Sequence, residues 1–534
     1  MVEMHWARWG DPDEATPLPD EARALVDAFV GTREATTVEP GEVRLSRPLD
    51  DELVAELAGI VGGGNVLTDD ASRLHRTRGK STADLLRMRA GDGTDSPDAV
   101  VRPGSHEEVQ AVVDWAVRRH VALVPFGGGT SVVGGLAARR DGFAGVVSLD
   151  LVRLDRLVEV DEESMTAVLE AGLRGPHAES LLGKRGLTLG HFPQSFEYAT
   201  VGGFAATRSS GQSSAGYGRF DDMVAGVTVA TPQGTLDLGR APATAAGPDL
   251  RQLVLGSEGA FGVITRVRVR VRRVPGMKRY DAWRFASFAE GCTAMRTLAQ
   301  SQLLPTVLRL SDETETMVNL ASPGEVGAAS PEGATEGATD GATDGGCLMV
   351  VGHEGTPEVV EARRAAASAV LTRLGGTELG EAPGRAWAEG RFRGPYLRDS
   401  LLDAGVLVET LETATFWSNL GHLRARVTEV LTASLENALV LCHVSHVYET
   451  GASLYFTVAA KEADDPVDQW LAAKAAASDA IVAAGGSITH HHAIGRDHQP
   501  WLAAEIGEVG VEVLRAVKDR LDPTGVLNPG VLVP

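Results

Sequence analysis

Pro125-Phe-Gly-Gly-Gly-Thr-Ser-Val-Val-Gly-Gly135 is the stretch on which the reading of this chain turns. It follows the apolar run 121–124, which reads as a buried strand. Three consecutive glycines after a strand leave the backbone without Cβ atoms. It is then free to turn tightly and to present its N–H groups to an anion such as a diphosphate. No Gly-Lys-Ser/Thr follows, so this is not a P-loop, and Val132 stands where a dinucleotide fingerprint needs its third glycine. By itself the loop is open to a second reading, a purely structural turn.

Composition bounds the answer. A chain of 534 residues exceeds one core, so two or more domains are expected. Hydrophobic content of 43% and charged content of 23% are those of an ordinary globular protein. The formal net charge of −22, from 72 acidic against 50 basic residues, argues against nucleic acid as a partner but leaves room for a local basic pocket. Cys292, Cys347 and Cys442 lie far apart without CxxC spacing, which argues against a disulfide framework or a thiolate zinc site and fits a reducing compartment. Met1-Val-Glu-Met-His-Trp6 lacks the basic and apolar regions of a leader, no run of eighteen apolar residues occurs, and Val531-Leu-Val-Pro534 matches no targeting tail. A cytoplasmic location is the expectation.

Along the chain, residues 1–94 are polar with helical apolar spacing at 19–30 and 50–61, while 81–89 is less readable. From 95 to 275 the pattern becomes short apolar strands (99–102, 145–149, 167–171, 224–230, 262–271) separated by glycine turns. One helix interrupts them, opened by the capping box Ser105-His-Glu-Glu108 and running to about 119. Dense strands with few helices suggest an α+β domain. Residues 276–485 mix helices and strands in a second domain. Residues 321–346 interrupt it with tandem Gly-Ala-Thr-Glu/Asp repeats that have no apolar face to bury, which predicts a disordered loop. Residues 486–534 form a C-terminal segment carrying a histidine triplet and a helix from about 500 to 521.

Three further segments share the character of the first. They are Gln194-Ser-Phe-Glu-Tyr-Ala-Thr200 leading into Val201-Gly-Gly-Phe-Ala-Ala-Thr207, then Arg208-Ser-Ser-Gly-Gln-Ser-Ser-Ala-Gly-Tyr-Gly218, and last Gly256-Ser-Glu-Gly-Ala-Phe-Gly-Val-Ile-Thr265. Each offers small hydroxyls and exposed backbone to a long polar ligand. In this order the four segments resemble the vanillyl-alcohol-oxidase-type (PCMH-type) FAD-binding family. The resemblance implies a two-subdomain α+β FAD-binding domain at 95–275, a cap domain at 276–485, and helical N- and C-terminal segments, the latter returning to the flavin. It implies that Pro125, Phe126, Gly127, Gly128, Gly129, Thr130 and Ser131 grip the diphosphate. Gln194, Ser195, Phe196, Glu197, Tyr198, Ala199, Thr200, Thr207, Arg208, Ser209 and Ser210 would line the flavin. Glu258, Gly259, Ala260, Phe261, Gly262, Val263 and Ile264 would meet the adenine half. Some members tether FAD through a histidine in the glycine loop; this loop has none, so non-covalent FAD is expected.

Within that family the chain resembles the alkyldihydroxyacetonephosphate synthase (alkylglycerone-phosphate synthase) branch over nearly its whole length. The marks are Trp6-Ala-Arg-Trp-Gly10, Leu308-Arg-Leu-Ser-Asp312, Pro395-Tyr-Leu-Arg-Asp399, Glu409-Thr-Leu-Glu-Thr-Ala-Thr-Phe-Trp417, Gly451-Ala-Ser-Leu-Tyr-Phe456 and Gly485-Gly-Ser-Ile-Thr-His-His-His492. Such enzymes exchange the acyl chain of acyl-dihydroxyacetone phosphate for a fatty alcohol through a flavin N5 adduct without net redox change. The resemblance implies Arg398 on the substrate phosphate, a role that suits a five-donor guanidinium, and an active-site role for Arg309. Salt bridges to Asp399 and Asp312 are the plainer readings of these two arginines. It also implies proton handling by Tyr455 and by His490, His491 and His492, since histidine titrates near neutrality. In an extended segment His490 and His492 would share a face and His491 would point away. A metal on His490 and His492 with His443 or His446 is a rival reading, weakened by Thr489 where metal-bearing relatives carry glutamate; no metal is expected. The branch further implies a lipid-like phosphorylated substrate, a fatty alcohol, a homodimer and transient membrane contact. The alternative is an FAD-linked oxidase or dehydrogenase of a small 2-hydroxy acid or alcohol.

Overall fold

The computed structural model describes residues 3–15, 17–137, 139–321 and 345–534. The loop expected at 321–346 falls, except for its ends, outside the described residues. Two layers of sheet build the first half. Val66–Leu67, Ala99–Val101, Val146–Asp150 and Ala122–Phe126 form a four-stranded sheet in that order, the last three strands parallel. The helix His106–Arg119 makes the crossover that parallel pairing requires. Its Val109, Val112, Val113 and Ala116 recur at helical spacing and are buried in a core shared with the second sheet. Ser105 caps it as expected, its Oγ accepting from Glu108 N at 3.2 Å. Glu108 does not return the bond to Ser105; its carboxylate reaches one residue further and accepts from Gly104 N at 2.6 Å.

The second sheet is antiparallel, in the order Gly234–Leu238, Val224–Thr231, Val263–Arg270, Thr166–Glu170, Leu157–Asp161. The helix Asp51–Val61 buries Leu53, Leu57 and Val61 in the same core, so this part of the N-terminal region is packed onto this half. The less readable stretch is the helix Thr82–Arg89, with Ser81 Oγ accepting from Asp84 N at 3.1 Å. The C-terminal residues return to this half as well. Leu527 pairs with Leu123, and Asn528 Nδ2 donates to Gly135 O at 3.1 Å and Glu258 O at 2.7 Å.

The second half is one seven-stranded antiparallel sheet, in the order Thr377–Gly380, Met277–Phe285, Cys347–Gly355, Val307–Ser311, Leu439–Val444, Gly451–Lys461, Val406–Phe416. The helices Phe288–Gln300, Pro357–Arg373, Leu420–Ser434 and Pro466–Ala483 contribute their apolar stripes to a second core with this sheet. Ala452, Leu454, Phe456, Val458 and Ala460 point into it, as do Val440, Cys442, Val444, Leu308 and Leu310. The period of two therefore sends Tyr455, His443 and Arg309 to the opposite face.

The glycine loop is packed from beneath. A Cβ on Gly128 would lie 2.1 Å from Tyr198 O, and one on Gly127 2.4 Å from Thr200 Oγ1. Gly128→Ala therefore pushes on backbone and should cost about 1–3 kcal/mol, as overpacking does. Gly183→Ala, whose Cβ meets nothing within 4 Å at the end of a helix, should be neutral or stabilising by up to about 1 kcal/mol. Thermal unfolding of the two variants checks both; equal melting temperatures would refute the close approach.

Candidate active site

The pocket at the glycine loop is lined by Gly127, Gly128, Gly129, Phe126, Thr200, Gly172 and Asp150, and by the cationic side chains Arg76, Arg78, Lys80 and Arg174 with His75. Arg76 Nη2 donates to Asp150 Oδ2 at 2.9 Å, its Nη1 bonds Glu3, and its guanidinium lies 5.4 Å over the Phe126 ring. Lys80 is buried and donates to the His5 and Trp6 carbonyls at 2.6 and 3.1 Å; burial pushes its ammonium down to about 7. This basic wall went unread in the sequence analysis. Its signal was present in His75-Arg-Thr-Arg-Gly-Lys80, with a cation at every second position. The wall and the Cβ-free loop fit the diphosphate of FAD. Pro125 lies in the strand feeding the loop, and Thr130 and Ser131 continue it; Ser131 O accepts from Lys80 N at 2.7 Å.

The other expected cofactor residues divide. Tyr198, Ala199 and Thr200 back the glycine loop, and Thr200 Oγ1 caps the helix Val201–Thr207 through Gly203 N. Phe196 instead stacks on Phe392 of the second half at 5.6 Å, and Gln194 faces Gly394. Glu197 and Tyr198 border an adjoining 420 Å³ cleft with Asp11, Glu14, Arg174, His177 and Tyr396. Ser195 opens the turn whose carbonyl takes the Tyr198 and Ala199 amides. Thr207 Oγ1 bonds Gly203 O, and Arg208, at φ 51°, caps the helix with its guanidinium on the Leu255 and Gln252 carbonyls. Ser209 Oγ bonds His191 Nε2 at 3.0 Å, and Ser210 Oγ bonds His446 Nδ1 at 3.0 Å. The buried Glu258 accepts from Ile494 N and Gly495 N at 3.2 and 2.8 Å, tying down the C-terminal segment, and burial pushes its carboxyl up to about 7. Ala260, Phe261, Val263 and Ile264 are buried in the cores, while Gly259 and Gly262 hold positive φ at 82° and 154°.

The chemistry-bearing side chains meet on the free face of the large sheet. His443, Tyr455 and Glu412 are direct partners on three neighbouring strands. The His443 and Tyr455 rings stack at 4.8 Å, and Tyr455 stacks again on His491 at 6.2 Å. Burial raises the Tyr455 hydroxyl to about 12. Arg309 donates to Glu315 Oε1 at 2.8 Å and to His443 Nδ1 at 3.0 Å. The plainer reading of Arg309 is thereby corrected in its partner, since Asp312 accepts from Arg424 at 2.9 Å. Arg398 does pair with Asp399, at 3.2 Å, but the pair is buried, and its Nη1 donates to Lys80 O at 2.6 Å.

The histidine triplet is curled rather than extended, so His491 does not point away. Glu412 accepts from His490, His491 and His492 N at 2.7, 3.0 and 2.9 Å and from Thr489 Oγ1 at 2.6 Å. The curl brings His490 Nδ1 to 3.0 Å from His491 Nδ1 and His490 Nε2 to 2.6 Å from Tyr448 Oη. Tyr448, His490 and His491 thus form a chain of hydrogen bonds that can shift a proton from one end to the other. Burial holds His446, His490 and His492 well below their usual range, so neutral imidazoles are available as bases at pH 7. Ring nitrogens of His446, His490 and His491 lie within 4.8 Å of one another, but several of them already bond Ser210, Tyr448 and each other. Glu412 and Tyr448 were missed in the sequence, Glu412 although it lies in the quoted Glu409-to-Trp417 stretch.

A family model described as an FAD binding domain matches residues 97–238, and one described as FAD linked oxidases, C-terminal domain, matches residues 274–532. The fold and the glycine-loop pocket define an FAD-binding flavoenzyme of the FAD-linked oxidase class, as the four glycine-rich segments implied. The chain is 34% identical over 495 residues to alkyldihydroxyacetonephosphate synthase of Dictyostelium discoideum, covering 90% of this chain and 81% of that one. To the synthase of Trypanosoma brucei brucei it is 33% identical, with coverage of 100% and 92%. A solved structure of alkyldihydroxyacetonephosphate synthase superposes with a TM-score of 0.83 at 30% identity, covering 99% of each chain. The chain belongs to the alkyldihydroxyacetonephosphate synthase family. Among the described residues no helix is long and apolar enough to cross a membrane.

Two tests follow from the site. Arg76→Gln removes a guanidinium from the diphosphate pocket while Arg102 still neutralises Asp150 at 3.3 Å. FAD affinity, read by flavin fluorescence on titrating apo-protein, should fall about tenfold, the scale of one charge-assisted bond; unchanged affinity would take Arg76 out of the pocket. The second test concerns pH. His191 and His492 are pushed down to about 3 and His498 to about 4, burial being the first cause in each. Between these values and 6.5 the unfolded chain binds more protons than the folded one, so their contribution is full above pH 6.5 and is lost as pH falls. Glu258, raised to about 7, works in the opposite sense above pH 4.5. Melting temperature should therefore fall less steeply from pH 6.5 to 4 in His191→Asn than in the parent; parallel profiles would refute a buried neutral His191.

Proposed function

We propose that this protein exchanges the acyl chain of an acyl-dihydroxyacetone phosphate for a fatty alcohol, as an alkylglycerone-phosphate synthase with non-covalent FAD. The observation that carries the reading is the convergence of Arg309, His443, Tyr455 and Glu412 on one sheet face, against which the histidine triplet packs. Three of the five Arg398 N–H donors serve Asp399 and Lys80, and two remain for a phosphate. His490, kept neutral by burial, accepts a proton from the carbon beside the carbonyl, and its hydrogen bond to Tyr448 carries the proton onward. Tyr455, held between two imidazoles and kept protonated by burial, donates its proton to the departing carboxylate, and the tyrosinate takes back the proton that the entering alcohol loses. Bound FAD supplies an electron-poor ring against which the substrate carbon is held.

A cytoplasmic homodimer with transient membrane contact belongs to the same proposal. Val509 and Val513 stand exposed after the kink that Gly507 puts in the helix Leu502–Leu521, with Ile506 exposed just before it, and the adjacent Glu505, Glu508 and Glu512 disfavour attraction to anionic lipid.

The test uses purified holoprotein with palmitoyl-dihydroxyacetone phosphate and hexadecanol. Release of fatty acid and formation of the ether, with the flavin oxidised at the end, supports the proposal. Bleaching of the flavin by a 2-hydroxy acid, with no ether formed, replaces it by the dehydrogenase reading. In the synthase assay Arg398→Ala should raise KM for the phosphorylated substrate at least about tenfold with FAD still bound. Unchanged kinetics would remove Arg398 from the site.

A further inference from the structure

Glu412 is a buried carboxylate on the sheet face that carries Tyr455, in register with it. It accepts four hydrogen bonds, three of them from consecutive backbone N–H groups. Successive N–H groups of an extended strand point to opposite sides, so one acceptor can gather three only if the backbone curls around it. A carboxylate has two oxygens and about four acceptor sites, which matches the demand; an amide has one oxygen and does not. Among the described residues no lysine or arginine forms an ion pair with Glu412. The groups whose charge acts on it most are His490, His491 and His492, with Tyr455, His446 and His498 also within electrostatic reach. Arg219 supports the same loop from the other side, donating to His490 O at 3.2 Å.

We propose that Glu412 is the positioning residue of the histidine triplet: it curls residues 489–492 so that all three imidazoles converge, and its fixed charge balances whichever imidazole takes a proton. The second clause rests on the proton-handling reading of the triplet; the first does not. A buried anion that no lysine or arginine among the described residues neutralises lowers the energy of an imidazolium at the moment one forms beside it, and neutral imidazoles alone would not. The hydrogen-bonded carboxylate stays ionised well below the usual range, so that charge persists across the working pH range.

The experiment compares holoprotein of the parent, Glu412→Gln and Thr489→Val. Glutamine keeps the size, removes the charge and turns an amide nitrogen toward an N–H donor whichever way it lies. Hydrogen exchange of the peptide 487–493 should quicken about tenfold to a hundredfold in Glu412→Gln. FAD absorbance should be unchanged, and kcat should fall by a similar factor with KM little altered, since Arg398 is untouched. Thr489→Val removes one bond and keeps the charge; it should quicken exchange several-fold and lower kcat less. Parent-like exchange in both variants overturns the positioning, and parent-like kcat in Glu412→Gln overturns the charge role. Should Glu412→Gln fail to fold, Thr489→Val alone decides the positioning by the same readout. The exchange measurement does not depend on which reaction is catalysed. Quickened exchange in a protein without synthase activity therefore supports the positioning while the functional reading fails, and an active parent with unaltered exchange in the variants does the reverse.

Discussion

The pairing register of three neighbouring strands governs this site. His443, Tyr455 and Glu412 stand opposite one another on Leu439–Val444, Gly451–Lys461 and Val406–Phe416, and alternate positions on the same strands fill the second core. A slip of one residue would drive Tyr455 into that core and bring Leu454 or Phe456 to the reactive face. The cost of burying a phenol and a carboxylate there fixes the register. The packing of the core and the placement of the chemistry are thus one constraint, imposed by a period of two.

From that row the site is completed by segments distant in sequence. The loop 489–492 is drawn in by Glu412, and Ser210 brings the expected flavin-lining segment to His446. The N-terminal residues bind the two halves together. Lys80, beside the glycine loop, donates to the His5 and Trp6 carbonyls; Arg89 donates to Ala7 O; Trp9 N donates to the carboxylate of Asp399, which also holds Arg398. The lysine beside the glycine loop and the arginine paired with Asp399 therefore share one seam. Burial along it keeps imidazoles neutral and a tyrosine protonated, which is the state proton transfer near pH 7 requires.

Much of this was legible. Residues 121–135 predicted a strand and a tight glycine turn; Ala122–Phe126 is the strand, and the glycines after it pack against Tyr198 and Thr200. Ser105 predicted a helix cap and delivered it, although Glu108 chose a different donor. Arg309 predicted an ion pair but its partner is Glu315, four positions beyond the strand, because Asp312 is taken by Arg424. The histidine run predicted proton chemistry, yet its geometry depended on a carboxylate 77 residues away. Phe196 and Gln194 read as flavin-lining from the family resemblance; what the sequence did not give is their reach into the second half, where Phe196 stacks on Phe392 and Gln194 faces Gly394.

The sequence by itself determined what is local. A glycine frees its own backbone, a serine caps the helix that follows it, and alternation sorts a strand into two faces; each needs only neighbours along the chain. It also carried the family, because four glycine-rich segments in a fixed order are a linear pattern. Tertiary structure alone decided which distant polar groups meet: Glu412 with the histidine loop, Tyr448 with His490, Arg398 with Lys80. Those contacts depend on strand register and on the closing of two halves. Their energy comes from satisfying charges and donors removed from water, a quantity that has no value until the fold has removed them.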